Sequence, residues 1–258
     1  LHSLTGKLHT RLQALGVRAG DRVVVQIEKS NEAVILYLAC LRAGAIYIPL
    51  NTAYTANEVA YFLQDATPQV FVCAPDKHAQ LSALADKLQI ANTLSLGDNG
   101  HGSLLDGFEL LNDDIEVVPR SNDDLASILY TSGTTGRSKG AMLSHGNLTS
   151  NAQTLHRYWQ WQDNCDVLLH ALPIFHVHGL FVALHCAMLG RSKIHFISKF
   201  NVDTLIQYLP SSSVLMGVPT FYTRLLDHPE FNSQLCEKMR LFIAGSAPLL
   251  AETHDQFS

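Results

Sequence analysis

The chain has 258 residues, enough to bury a substantial core as one large domain or two smaller ones. Hydrophobic residues make up 47% and charged residues 16%, which excludes a disordered chain. A net charge of −5 with no Lys/Arg cluster argues against a nucleic-acid partner, and the longest apolar run, residues 33–41, is too short to span a bilayer.

Leu1, Leu4, Leu8, Leu12 and Leu15 share one face of a first helix that Gly16 ends. Residues 23–27 read as a strand. Ser30 or Asn31 caps a second helix that is apolar on nearly every side and stops before Gly44. A short extended piece, 46–49, follows. Thr55 and Glu58 form a capping box that opens a helix, which must stop before Pro68. Residues 69–74 are then a strand, and Leu81, Leu84, Ala85 and Leu88 mark another amphipathic helix. Residues 97–124, rich in Gly, Asp and Asn, interrupt this rhythm and are the expected seam between two subdomains. Beyond them, strands are expected at 125–130, 141–144, 166–172, 193–197, 214–218 and 241–244. Helices are expected at 147–161, 179–189, 202–209 and 219–228, with Pro219 as the first residue of the last of these. Residues 250–257 again read as helix. Alternating strands and helices predict an α/β fold of layered, largely parallel sheets with flanking helices.

Open α/β sheets bind ligands outside the carboxyl ends of their strands, which singles out the loops 131–140, 173–179, 219–224 and 245–249. The first carries hydroxyls at Thr131, Ser132, Thr134 and Thr135, glycines at 133 and 136, and Lys139. Close backbone approach, short donors and one point charge suit a polyphosphate. Its spacing is not that of a Walker A loop, because two residues separate Gly136 from Lys139. By composition alone it reads equally as a flexible surface loop. In an extended segment His176 and His178 would point to one face, but no third ligand has a metal-site spacing. Arg224 is either a solvated helix charge or a partner for an anion. No Gly-x-Ser-x-Gly elbow supports a serine hydrolase. Five scattered cysteines without a Cys-x-x-Cys pair suit free thiols in a reducing, cytoplasmic setting.

Residues 128–139, 41–51, 172–180 and 244–249, in these positions, resemble motifs of the adenylate-forming, AMP-binding superfamily of acyl-CoA synthetases, luciferases and nonribosomal adenylation domains. Residues 175–180 and 216–226 further resemble malonyl-CoA synthetases. The resemblance implies the N-terminal part of the large domain of such an enzyme. The Tyr-Gly-x-Thr-Glu motif and the small C-terminal domain would lie beyond Ser258.

It also implies roles. Thr131, Ser132, Gly133, Thr134, Thr135, Gly136 and Lys139 would hold the β- and γ-phosphates of ATP, with Lys139 and His176 in the catalytic set. Gly245, Ser246, Ala247 and Pro248 would pack against adenine. His176 would line the carboxylate site, and Arg224 would bind the distal carboxylate of a dicarboxylic acid, because a buried guanidinium left unpaired is costly. Mg²⁺ would bridge phosphate oxygens, helped by the Glu of the Tyr-Gly-x-Thr-Glu motif, and coenzyme A would be the co-substrate of the second step. The implied function is an ATP-dependent acid–CoA ligase acting on malonate or a methylmalonate-like acid. The alternatives are a medium-chain or aryl acid–CoA ligase and a noncatalytic nucleotide-binding domain. Residues 1–258 alone are expected to be inactive in adenylation.

Overall fold

The computed structural model describes residues 1–131 and 138–257 and divides the chain into two units, Leu1–Leu148 and Thr149–Ser258. The first unit is built on a six-stranded sheet ordered β4-β3-β1-β2-β5-β6. Strands β1 (Arg22–Gln26), β2 (Ile46–Pro49), β3 (Val70–Cys73), β4 (Asn92–Ser95) and β5 (Leu125–Thr131) run parallel to their neighbours. Strand β6 (Lys139–Ser144) turns back antiparallel on β5. Val23, Val24, Ile48 and Phe71 are fully buried, as continuous apolar strands are when helices cover both faces of a parallel sheet. The helices of this unit are α1 (His2–Ala14), α2 (Asn31–Arg42), α3 (Ala56–Ala66) and α4 (Pro75–Lys87).

Local chemistry sets the helix ends. The Ser30 hydroxyl accepts from the Ala33 N–H at 3.1 Å and caps α2. Thr55 and Glu58 make the reciprocal capping box of α3, whose last turn closes on Thr67 in a left-handed conformation just before Pro68.

The expected seam at 97–124 lies wholly inside the first unit. Its backbone finds partners there: the Val118 N–H donates to the Arg42 carbonyl at 2.9 Å, and the Arg42 guanidinium donates to the Ile115 carbonyl. The Ser103 hydroxyl accepts from the Ser95 N–H at 2.9 Å, and Leu104 is fully buried. The chain then re-enters the same sheet through β5, where the buried Ser127 hydroxyl donates to the Tyr47 carbonyl at 2.6 Å. The division falls within helix α5 (His145–Tyr158) instead. Strand β4 had no sequence counterpart: Asn92, Thr93 and Ser95 alternate too weakly in polarity to mark a half-buried edge strand.

The second unit has a four-stranded, all-parallel sheet ordered β10-β9-β7-β8. Its strands are β7 (Val167–His170), β8 (Lys193–Phe196), β9 (Val214–Gly217) and β10 (Leu241–Ala244). Its helices are α6 (His185–Leu189), α7 (Val202–Tyr208), α8 (Pro219–Leu226) and α9 (Ala251–Phe257). Leu168, Leu169, Leu205, Val214, Leu215 and Leu225 form the buried centre. The helix expected at 179–189 is instead a π-helical turn, His178–Leu184, that passes into α6. Gly179 fixes the entry to that turn. A Cβ there would lie 2.1 Å from the Pro173 carbonyl oxygen, and the Gly179 carbonyl accepts from His170 Nε2 at 2.9 Å.

At the amino ends of these strands a polar cluster pins the sheet. Asp166, 2% exposed, accepts from Arg240 Nε at 2.8 Å and again from Arg240 Nη2, from the Ser213 hydroxyl at 2.7 Å and from the Gln162 N–H at 2.8 Å. Burial alone would raise the Asp166 pKa; the arginine and the two further donors outweigh it and hold the carboxyl below its ordinary range.

Candidate functional site

In the first unit the candidate phosphate loop joins β5 to β6. Thr131 and Lys139 face each other as the last pair of that hairpin, and both are exposed. Ser132, Gly133, Thr134, Thr135 and Gly136 lie outside the described residues. Both ends of the loop are tied to α3. The Tyr61 hydroxyl donates to the Ser138 carbonyl at 2.8 Å, and the Tyr130 hydroxyl donates to Asp65 at 2.6 Å. Phe62 packs on Tyr130 with ring centroids 4.5 Å apart. Burial, then the bond and charge of Asp65, raise the Tyr130 pKa, so the phenol stays protonated as the donor. Gly140 is required beside this pair, since a Cβ there would lie 2.7 Å from Ile128 Cγ2. The sequence reading missed Tyr61 and Asp65; their i,i+4 spacing on an amphipathic helix was the available signal.

In the second unit the chain passes from β7 outward to β8 and then back to β9 on the other side of β7. That reversal is a topological switch point, where open parallel sheets bind ligands outside the carboxyl ends of their strands. The segments leaving β7, β9 and β10 at those ends are 171–177, Val218 with α8, and 245–249. These carry His176, Arg224 and the Gly245–Pro248 strip.

His176 is exposed, and its ring lies tilted against that of Phe175 at 4.5 Å between centroids, with partial desolvation lowering its pKa. His178, two residues on, is buried inside the π-helical turn, and its Nδ1 lies 3.2 Å from the Ser246 hydroxyl. The two imidazoles therefore do not share the environment that an extended segment would give them. Among the described residues no three His, Cys, Asp or Glu side chains group as metal ligands. A Mg²⁺ ion suits this donor set only as a phosphate-bound ion, held mainly by the oxygens of the nucleotide.

Arg224 sits in the last turn of α8 with its guanidinium 5.5 Å over the Phe200 ring, and Phe200 stacks on Phe221 at 3.9 Å. Among the described residues no carboxylate pairs with it. It is exposed, however, so the desolvation cost expected of a buried unpaired arginine does not apply to this arrangement.

The strip after β10 continues the sheet by one bond, the Gly245 N–H donating to the Gly217 carbonyl at 3.0 Å. Ser246 then adopts a left-handed φ of 68°, uncommon for a residue with a side chain. Ser246, Ala247 and Pro248 are exposed. The Tyr222 hydroxyl donates to the Ile243 carbonyl at 2.6 Å and locks α8 to β10 just before the strip.

The profile of the family described as AMP-binding enzyme matches residues 1–258. Among solved structures, ATP-bound MatB from Rhodopseudomonas palustris superposes with a TM-score of 0.95 at 50% identity, covering 99% of this chain and 50% of that one. The mitochondrial malonate–CoA ligase of Xenopus laevis is 32% identical over 89% of this chain and 42% of its own length. The oxalate–CoA ligase of Arabidopsis thaliana is 30% identical over 97% of this chain and 51% of its own length. The chain thus spans about half the length of the relatives it matches. With an α/β fold of largely parallel sheets, a family profile that matches end to end and a superposition of this quality, the chain belongs to the AMP-binding enzyme family.

Proposed function

We propose that the enzyme carrying this chain is an ATP-dependent acid–CoA ligase whose acid is malonate or a closely similar dicarboxylate. In the first step a carboxylate oxygen of the acid attacks the α-phosphorus of ATP, and the bond to pyrophosphate breaks. In the second, the thiol of coenzyme A attacks the acyl carbon, loses its proton, and AMP leaves with the bonding pair. Neither step needs a covalent enzyme intermediate, so the protein contributes positioning and charge.

In this reading Thr131, Lys139 and the loop 132–136 hold the β- and γ-phosphates, and Gly245–Pro248 packs on adenine. His176 lines the site of the reacting carboxylate, and Arg224 takes the distal carboxylate. A ring-stacked, exposed guanidinium with no acidic partner among the described residues is available for bidentate binding. Mg²⁺ would neutralise phosphate charge when bound. The compartment is a reducing one, the cytoplasm, in keeping with five free cysteines of which Cys40, Cys73 and Cys186 are buried.

The observation that supports the choice of acid is the likeness to a malonate–CoA ligase over 89% of the chain and to an oxalate–CoA ligase over 97% of it. Both relatives are named for short dicarboxylates. Arg224→Ala in the enzyme carrying this chain tests it. Malonate turnover should fall about 10- to 100-fold, the worth of a charge-assisted pair, while butyrate turnover stays unchanged. Equal malonate turnover in the variant would remove Arg224 from acid selection. Residues 1–258 alone should give no malonate-dependent exchange of pyrophosphate into ATP.

A further inference from the structure

We propose that His178 is a positioning residue for nucleotide binding, holding Gly245 and Ser246 in the conformation that meets adenine. The proposal rests on the nucleotide-binding reading above. Ser246 occupies a left-handed conformation without the freedom of glycine, so contacts elsewhere must hold it there. Among the described residues its hydroxyl meets the Nδ1 of His178 at 3.2 Å, a contact formed across 68 residues of sequence. The neighbouring Gly245 has a second. A Cβ on that residue would lie 3.0 Å from His178 Cε1, so the imidazole rests directly on the strip where any larger residue would push it away. The backbone start of the strip is fixed separately, by the Gly245 bond to Gly217.

The imidazole is itself packed in place. His178 is 9% exposed and opens the π-helical turn, a feature that recurs at functional sites. The next residue, Gly179, is pressed on the Pro173 carbonyl and accepts from the buried His170. A continuous set of contacts therefore runs from His170 in β7, through Gly179 and His178, to Ser246 beyond β10. Burial lowers the His178 pKa and favours the neutral ring, whose two nitrogens offer one donor and one acceptor, so Nδ1 pairs with the Ser246 hydroxyl in whichever sense the tautomer sets. Packing across the ends of β7 and β10 explains why this position is a histidine and not an aliphatic core residue: the ring fills space and also presents a hydrogen-bonding nitrogen.

The test uses the enzyme carrying this chain in four forms: wild type, His178→Ala, His178→Asn and Ser246→Ala. Calorimetry measures binding of ATP and, separately, of inorganic tripolyphosphate, which lacks the adenine. ATP should bind roughly tenfold more weakly to His178→Ala, with a smaller loss in His178→Asn, whose amide can place a hydrogen-bonding atom of either sense near the Nδ1 position. Tripolyphosphate affinity should not change. ATP affinity within about twofold of wild type in His178→Ala would overturn the proposal, as would an equal loss for tripolyphosphate, which reports general disruption. If His178→Ala does not fold, Ser246→Ala decides the matter by the same comparison, since it removes only the hydroxyl. A wild-type enzyme that fails to bind ATP refutes the nucleotide reading itself. One that binds ATP with all three variants unaffected refutes only the role of His178.

Discussion

Lys139 is the first residue of β6, exposed and paired across the hairpin with Thr131, while α3 ties down Ser138 on one side and Tyr130 on the other. An ammonium at the rim of a clamped loop can meet a phosphate as a point charge without carrying a desolvation cost in the free protein. Lys139→Ala should lower ATP-dependent turnover about 10- to 100-fold, and Lys139→Arg should retain part of it; turnover unchanged in both would dissociate the lysine from phosphate binding. The position of Thr131 at a strand end was legible because the apolar, β-prone run 125–130 leads directly into it. The pairing of His178 with Ser246 was not, because no local pattern links positions 68 residues apart. For Arg224 the sequence left a solvated helix charge and an anion partner both open, and the helix periodicity that buries Phe221, Tyr222 and Leu225 puts position 224 on the open face.

Elements with strong local signals were read well. The capping box at Thr55, the Ser30 cap and Pro219 at the start of α8 each satisfy or omit backbone donors within a few residues, so they act before tertiary contacts matter. Elements set by distant partners were not. Strand β4 exists because β3 offers it an edge, and the π-helical turn exists in an apolar run whose pattern fits an ordinary helix equally well. Segment 97–124 has the composition of a linker yet donates to and accepts from α2 and β4. The cluster around Asp166 is of the same kind, drawing on residues from 159 to 240. Removing its charge leaves Arg240 without its carboxylate, so Asp166→Asn should cost about 3 kcal/mol in denaturant unfolding. The Asp166 pKa is lowered in the folded protein, so its contribution is complete above the unfolded carboxyl value near 4 and is lost as pH falls below it. In wild type, stability should therefore decline on acidification below that point, and the Asn variant should show a shallower decline. Equal slopes would contradict the assignment.

For the molecule, each unit carries its candidate residues at the carboxyl ends of its own parallel strands, and the polar network that pins the second sheet lies at the amino ends. Parallel strands buried on both faces leave their ends as the place where polar groups can meet a ligand, which separates stability from chemistry along the strand direction. The family profile covers both units, and the malonate–CoA ligase and oxalate–CoA ligase that the chain resembles are each named for a dicarboxylate. On the proposed reading, the enzyme carrying this chain activates a short dicarboxylic acid with ATP. The most direct measurement is exchange of labelled pyrophosphate into ATP by the enzyme carrying this chain, with malonate, butyrate and ferulate offered separately. Malonate should support exchange well above the other two acids. Exchange supported by butyrate or ferulate and not by malonate would contradict the account.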